Sequence, residues 1–459
     1  MNNIAIKPKR EVSYLNHLLE QIQSGLSQPS PQTSFASEVT LQLQNIRDHA
    51  LTWVKELEIP TKRDEEWRFT DLSPLLEHQF KVASFVPLEA EAIAPLIIPE
   101  AEHKRIVFIN GMYAPDLSDL QDIPEGIFIG NLAQLPEKLQ KRLPNYLSQQ
   151  QSNQDVFSTL NTTGFNDVAV VWVEKNKTLE TPIHLLFIAL PDRFPVMNQP
   201  RALIVAETGS SSTVIEHYAT AEVFGCSDQV NVQPYFTNAV TEIYLEENAE
   251  VNHTKLQRGA GTAFHIGKNV VFQGRNSRYT CNAVSLGAKL SRHNLDIYQQ
   301  GEGTETTLNG LTLIGSEQLA DTHSAMMLNH QHGTFNQIHK CIIDHKAHGV
   351  FNGKVFVPQT AQFTNANQLS RNLLLSSKGR IDTKPQLEIV ADNVKCSHGA
   401  TVSQLEEDEV FYLRSRGLSE TLSRHLLIDA FAAEIIGKLP SETLKQVLSR
   451  CVSCRTEFS

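Results

Sequence analysis

The spacing of hydrophobic residues first separates an N-terminal helical part from the rest of the chain. Residues 9–24 and 38–58 carry apolar side chains at helical intervals, and Pro60 ends the second segment. The sequence SQPSPQTS at 27–34 lies between them and is rich in residues that break helices. The pattern therefore predicts two N-terminal helices joined by a linker.

Short β-rich runs begin near residue 105, and a short helical piece near 132–149 interrupts them. From about 168 to 413 the chain alternates apolar runs, among them HLLFIAL, TEIYLEE, NVVFQG, KVFVP and EVFYLRS, with turn residues. A β-sandwich and a β-helix are both compatible with this pattern. We favour a β-helix with strands repeating about every 20 residues, because about 245 continuous β residues are long for one sandwich.

Helical periodicity returns near the C-terminus. The segment 418–439 has an amphipathic stripe that includes Phe431, Ile435 and Ile436, and Pro440 follows it. The chain is therefore expected to be mainly β, with helical domains on both sides of its core. The predicted domains are residues 1–104, residues 105–413 and residues 414–459.

Composition excludes several classes of function. The 459 residues include 40 Lys and Arg against 51 Asp and Glu, so the formal net charge is −11. A general nucleic-acid-binding protein needs a basic face instead. No apolar run of about 18 residues and no signal-peptide core are present, so we expect a cytoplasmic protein without a membrane-spanning helix. The six scattered cysteines are typical of a reducing compartment rather than of a disulfide framework.

Common catalytic motifs are absent from the sequence. There is no GxxxxGK[ST] phosphate-binding loop, no GxGxxG after a strand, no GxSxG and no HExxH. A carbohydrate-active β-helix enzyme is an alternative, but the carboxylates of the β region are scattered and give no clear acid–base pair. We therefore expect a chain that is not an enzyme and has no ATP site of its own.

Cys396 and His398 form a Cys-x-His pair on a predicted strand, where residues two apart point to the same side. Thiolate and imidazole groups both ligate iron and iron–sulfur clusters. Two ligands are too few for a four-ligand site, so a partner would have to supply the others. A buried cysteine beside a hydrogen-bonded histidine is the simpler interpretation.

A second candidate lies in the histidine-rich stretch between residues 323 and 348. His339 and Cys341 have the same strand parity, and so do Cys341 and His345, which gives a candidate metal-handling or metal-storing face. The spacing matches no standard zinc motif, so solvated or turn histidines are the simpler interpretation. The CxxC formed by Cys451 and Cys454 is interpreted as structural or incidental because no thioredoxin-like context accompanies it.

Longer segments resemble the SufD branch of the SufB/SufD family, the scaffold subunits of the SUF iron–sulfur cluster assembly system. The resemblance is carried by RDEEWRFTDL at 63–72, FSTLNTTGFND at 157–167 and DTKPQLEIVADNVKCSHGAT at 382–401. The SufB branch is the nearest alternative. This chain, however, has no cysteine in LLLSSKGRIDTKP, and it has Ser397-His398-Gly399 where SufB has a His-Glu pair.

The resemblance implies a right-handed parallel β-helix core flanked by N-terminal and C-terminal helical domains. It further implies a complex of one SufB, one SufD and two copies of the ATPase SufC. SufC would bind the helical region at about 414–450, where Phe431, Ile435 and Ile436 are the candidate contacts. A homodimer is the alternative assembly of the isolated chain.

The resemblance also implies a role for the Cys-x-His pair. His398 would ligate iron or a transient iron–sulfur cluster that is shared with SufB, and Cys396 is the second candidate. The cluster would be cargo of the complex, and a flavin is expected only at the level of the whole complex.

Overall fold

The computed structural model describes residues 10–26, 37–149, 155–221 and 232–455. Within these ranges the chain forms a long parallel β-helix with helices at both ends, which confirms the predicted fold class. The predicted linker at 27–34 and Cys226 lie outside the described residues.

Nine α-helices occur in the described ranges. They are α1 (Arg10–Leu26), α2 (Ser37–Val54), α3 (Ser73–Leu76), α4 (Ala90–Ile93), α5 (Glu137–Gln140), α6 (Val156–Gly164), α7 (Glu407–Ser415), α8 (Glu420–Ile436) and α9 (Glu442–Arg455). Helices α1 and α2 match the two predicted N-terminal helices. The prediction of a strand for the segment EVFYLRS is wrong, because this segment belongs to α7. Three acidic residues in the first turn of α7 favour a helix there because they complement the positive end of the helix dipole.

Strands account for most of the remaining chain. They are β1 (Lys81–Val82), β2 (Lys104–Ile109), β3 (Met112–Tyr113), β4 (Asp119–Leu120), β5 (Ile127–Asn131), β6 (Ala169–Val173), β7 (Thr178–Ala189), β8 (Val196–Asn198), β9 (Arg201–Ala206), β10 (Ser211–Thr220), β11 (Tyr235–Leu245), β12 (Glu250–Gly259), β13 (Phe264–Gln273), β14 (Arg278–Gly287), β15 (Leu290–Gln299), β16 (Glu305–Ile314), β17 (Leu319–Met327), β18 (Thr334–Ile343), β19 (His348–Val357), β20 (Asn365–Leu374), β21 (Arg380–Ile389) and β22 (Lys395–Ser403).

The strands of the β-helix alternate between two parallel sheets. Sheet A contains β9, β11, β13, β15, β17, β19 and β21, whereas sheet B contains β7, β10, β12, β14, β16, β18, β20 and β22. Successive register partners in sheet B are Glu250, Arg278, Glu305, Thr334, Asn365 and Lys395, so one coil takes 27 to 31 residues. The predicted repeat of about 20 residues is therefore wrong, because each coil contains two strands of nine or ten residues and two turns.

Side chains alternate between the lumen and the outer faces of the sheets. The lumen holds a continuous apolar cluster that includes Ile204, Ile243 and Val271. N-terminal residues cover part of the outer face of sheet A, where Phe80 packs on Phe236 and Phe264 of β11 and β13. Helices α8 and α9 cover part of the outer face of sheet B in the same way.

Helix α8 is held on two consecutive strands of sheet B. The Lys340 Nζ of β18 donates to the carbonyl of Phe431 at 2.8 Å and lies 2.5 Å from the Glu434 carboxylate. Just beyond the helix, Lys438 Nζ donates to Asn309 Oδ1 of β16 at 2.9 Å. Side-chain contacts therefore hold α8 on inner coils, and residues 404–406 join the tail to β22 through the backbone.

A buried polar network crosses the lumen between β10 and β13. The Glu216 carboxylate accepts hydrogen bonds from Tyr218, from Thr241 at 2.7 Å, from His253 Nε2 at 2.7 Å and from Asn269 at 3.1 Å. Burial alone would raise the pKa of Glu216, but His253 and Lys255 lower it. Burial opposes protonation of His253, whereas Cys281 and Glu216 raise its pKa to about 9. The lumen therefore contains an ion pair between β10 and β12, and the hydrogen bonds around it connect the four strands β10 to β13.

Replacing Glu216 with Gln should lower the free energy of unfolding by about 3 kcal/mol, because a protonated His253 then loses its counter-charge inside the lumen. The raised pKa of His253 contributes stability in full below about pH 6.5, and this contribution is lost as the pH rises through about 9. Urea unfolding should show this loss in the wild type and not in Glu216→Gln. As a control, Glu250→Gln removes only an exposed pair with Arg278 and should cost less than about 1 kcal/mol. Equal stability of both variants would contradict the role of the network.

Candidate functional site

The β-helix ends in two strands with unpaired outer edges. In the described part of the chain β21 pairs with β19 on one side, and β22 pairs with β20 on one side. Large apolar side chains are exposed on these strands, with Ile389 at 41% and Val402 at 50%. We call β21 and β22 the open end. The open end has free backbone N–H and C=O groups and exposed apolar side chains. Strands of another chain can pair with such an edge.

Cys396 and His398 lie on β22, so the prediction that both residues share one side of a strand is confirmed. Cys396 is the register partner of Ala366, and His398 is the partner of Gln368. Both partners are buried in the lumen, and Gln368 donates to Gln337 one coil below at 2.8 Å. Cys396 and His398 therefore occupy the same lumen-facing positions as Ala366 and Gln368, but on the last strand of the described chain, where these positions are no longer covered by a further coil.

The two side chains of the pair have different surroundings. Cys396 is half-buried and packs against the lumen cluster beside Leu387 and Val394. Burial raises the pKa of the Cys396 thiol, and the backbone hydrogen bond with Ala366 offsets this only in part. The thiol is therefore a weaker ligand at neutral pH than an exposed cysteine. The His398 side chain is exposed and is the more accessible donor of the two.

The candidate face formed by His339, Cys341 and His345 does not exist as predicted. His339 and Cys341 do share one side of β18, but both are buried in the interior. Burial lowers the pKa of His339 to about 4 and raises that of Cys341 to about 12, so both groups stay neutral at pH 7. His345 lies on a turn with positive φ after β18 has ended, where strand parity no longer applies.

The described residues contain no group of three or more His, Cys, Asp or Glu side chains that could hold a metal ion. A complete metal site is thus not built from these parts of the chain.

The CxxC lies on α9, with Cys451 buried and Cys454 exposed. No helix in the described ranges is long and apolar enough to cross a membrane.

The residues predicted to contact SufC are mostly turned inward. Ile435 and Ile436 are buried between α8 and sheet B, and Phe431 packs against the same cluster. The amphipathic stripe therefore faces the β-helix, which the sequence could not distinguish from a face for a partner. The large apolar side chains exposed on α7 and α8 are Phe411, Tyr412, Leu422 and Leu426, and we call this set the tail patch.

The signals for the tail patch and for Glu216 were present in the sequence but ambiguous. Phe411 and Tyr412 fell within the run that was predicted as a strand, where they would alternate sides rather than lie together. Glu216 lies in a run of otherwise ordinary strand residues, and its partners come from three further strands. Only the coil register brings these residues together.

Comparison with known proteins agrees with this architecture. Residues 189–431 match the model of the "SUF system FeS cluster assembly, SufBD core domain", and residues 30–185 match the model of the "SufBD protein N-terminal region". The chain is 52% identical to the iron–sulfur cluster assembly SufBD family protein slr0076 of Synechocystis, over 90% of this chain and 91% of that protein.

Two further relatives align with most of this chain and over most of their own length. Protein ABCI7, chloroplastic, of Arabidopsis thaliana is 34% identical over 94% of this chain and 88% of its own length. The iron–sulfur cluster assembly protein SufD of Escherichia coli is 31% identical over 91% of this chain and 94% of its own length. The chain therefore belongs to the SufBD family of iron–sulfur cluster assembly proteins.

Proposed function

We propose that this chain is a SufD-type scaffold subunit that completes a cluster assembly site together with a second β-helix protein of the SufB type. The observation that carries the proposal is the open end, where His398 reaches the surface on a strand with a free edge. The similarity to a protein named SufD supports the same assignment. Family membership also favours cluster assembly over the carbohydrate-active alternative.

A second β-helix is the partner whose shape fits the open end. Its terminal strands could pair with β21 and β22 and so continue both sheets across the interface. Ile389 and Val402 would then lose contact with water. Burial of apolar area contributes about 25 cal/mol per Å² in such an interface, although association costs offset part of it.

The site at this interface would be shared between the two proteins. An imidazole nitrogen of His398 can ligate iron, but one side chain does not satisfy the coordination of an iron–sulfur cluster. The remaining ligands would come from the partner and from sulfide. The half-buried Cys396 is the second candidate ligand, and its raised pKa makes it the less favourable one.

ATP hydrolysis would be the task of another subunit, since the sequence has no phosphate-binding loop. We infer that SufC docks on the tail patch rather than on Ile435 and Ile436, because the patch exposes two aromatic and two leucine side chains. The chain itself would be a non-catalytic, cytoplasmic component of the complex. The iron–sulfur cluster is then transient cargo, and any flavin belongs to the complex as a whole.

Replacing His398 with Ala should reduce cluster assembly by at least about tenfold, because a ligand side chain is lost while the backbone edge of β22 remains. The measurement is cluster formation by the reconstituted complex with SufB and SufC, together with size-exclusion chromatography of that complex. His345→Ala, which removes an exposed turn histidine, is the matched control and should assemble normally. Normal assembly by the His398→Ala complex would exclude the ligand role.

Replacing Phe411 and Leu426 with Glu should weaken SufC binding by about thirtyfold or more, because charges would enter the apolar tail patch. Co-purification should lose SufC and keep the second β-helix protein. The control is Leu41→Glu on α2, which changes a side chain with 63% exposure at the other end of the chain. Unchanged SufC binding in the double variant would place the docking surface elsewhere.

A further inference from the structure

A short N-terminal segment crosses the outer face of sheet A and connects successive coils. We call residues 65–70 the clasp. Arg292 of β15 stacks on the Trp67 ring at 3.8 Å and donates to the Glu66 carbonyl at 2.8 Å. At the other end of the clasp, Glu65 pairs with Lys384 of β21 at 2.7 Å. The clasp therefore reaches from the middle of sheet A to a strand of the open end.

The central contact of the clasp is His323 of β17. Its Nδ1 lies 3.1 Å from the Glu66 carboxylate, and its Nε2 lies 2.9 Å from the Asp321 carboxylate. The Nδ1 contact has hydrogen-bond geometry, whereas the Nε2 contact is an ion pair by distance, and Asp321 Oδ1 accepts no hydrogen bond from the described residues. Because both carboxylates lie within 3.1 Å of the ring, they attract an imidazolium, and a neutral ring loses this attraction to both.

Asp321 fixes the inner half of this arrangement. Its buried carboxylate lies 2.5 Å from Arg292 and accepts a hydrogen bond from Thr70 of the clasp at 2.5 Å. Burial alone would raise the pKa of Asp321, but Arg292 and His323 lower it to about 2. Asp321 therefore stays ionised at neutral pH, and the charge of His323 decides whether Glu66 is attracted or released.

The remaining charged groups near His323 form ion pairs with partners of their own. A cleft of about 470 Å³ beside the ring is also lined by Lys268 and Lys354. Lys268 lies between Asp155 and Asp296, and Lys354 pairs with Glu388, as their ion-pair distances of 2.9 to 3.0 Å show. The cleft gives water access to His323, so the ring can exchange its proton while the clasp is in place.

The electrostatic surroundings agree with this geometry. Burial and the nearby Arg292 lower the pKa of His323, whereas Asp321 and Glu66 raise it. The net result is a raised pKa. The hydrogen bond with His323 lowers the pKa of Glu66. Because Glu66 raises the pKa of His323, the contact with the clasp is strongest at low pH and weakens as the pH rises through the raised value.

We propose that residues 65–70 are a protonation-dependent clasp, which is held more strongly on sheet A when His323 is an imidazolium and opens more often when His323 is neutral. Release would also free Lys384 from Glu65, and Lys384 lies on β21 of the open end. The clasp is thus a conformational device that links the N-terminal helices to the coil with the free edge.

Hydrogen exchange of the full chain tests the clasp. At about pH 6 and about pH 8 we would measure protection of the backbone amides of residues 65–70, corrected for the intrinsic exchange rate. In the wild type, protection should fall by up to about tenfold for each pH unit by which the pKa of His323 with the clasp closed exceeds its pKa with the clasp released, where Asp321 still faces the ring. The amides of β13 serve as an internal reference for global unfolding.

Two variants separate the clasp from general stability. His323→Gln and Glu66→Gln should each lose the pH dependence, with protection at about pH 6 close to that of the wild type at about pH 8. Glu66 has a mostly exposed side chain, so its variant should fold even if His323→Gln is destabilised. His348→Gln, which breaks the ion pair between His348 of β19 and Asp382 of β21, should keep the wild-type profile. Equal wild-type protection at both pH values, or a pH dependence that persists in Glu66→Gln, would overturn the proposal.

Discussion

Parallel strand pairing is the constraint on which the whole molecule depends. The backbone N–H and C=O groups of each strand form hydrogen bonds with the coil below and the coil above. The first and last coils therefore have no neighbour on one side. The N-terminal end is covered by additional strands, because β2, β3, β4 and β5 extend the two sheets and three of their pairings are antiparallel. The open end has no such cover in the described chain. The position of the candidate site follows from this asymmetry.

The lumen network adds a second constraint, because it depends on a single register. A shift of one residue in β10 or β12 would turn Glu216 or His253 to the outer face and would separate the pair. Apolar residues alone would tolerate such a shift better than this ion pair does. The network therefore helps to determine how the coils stack, at the cost of placing charges in the interior.

Local features of the chain could be predicted from the sequence, and features that depend on the coil could not. The alternation of β22 was sufficient to place Cys396 and His398 on one side, because parity is a property of neighbouring residues. That β22 is the last strand, which exposes His398, depends on where the β-helix ends. Parity failed for His345 because β18 stops at Ile343, two residues earlier.

The helical tail illustrates the same division. The periodicity of 418–439 predicted a helix correctly, but an amphipathic stripe is equally suited to a sheet and to a partner protein. Ile435 and Ile436 pack against sheet B, whereas Leu422 and Leu426 of the same helix are exposed. The coil length was wrong for a related reason, since short apolar runs do not reveal how many of them make one coil.

The attachment of α8 to β16 and β18 has a mechanical consequence. Both strands are held on each side by a neighbouring strand, whereas β22 is held on one side. A force that acts on the helical tail is therefore shared by two coils and loads many backbone hydrogen bonds together. The same force applied to β22 would break its bonds one after another, as in peeling. The contacts of α8 can thus divert part of a pull on the tail to the inner coils, although residues 404–406 join the tail to β22 through the backbone.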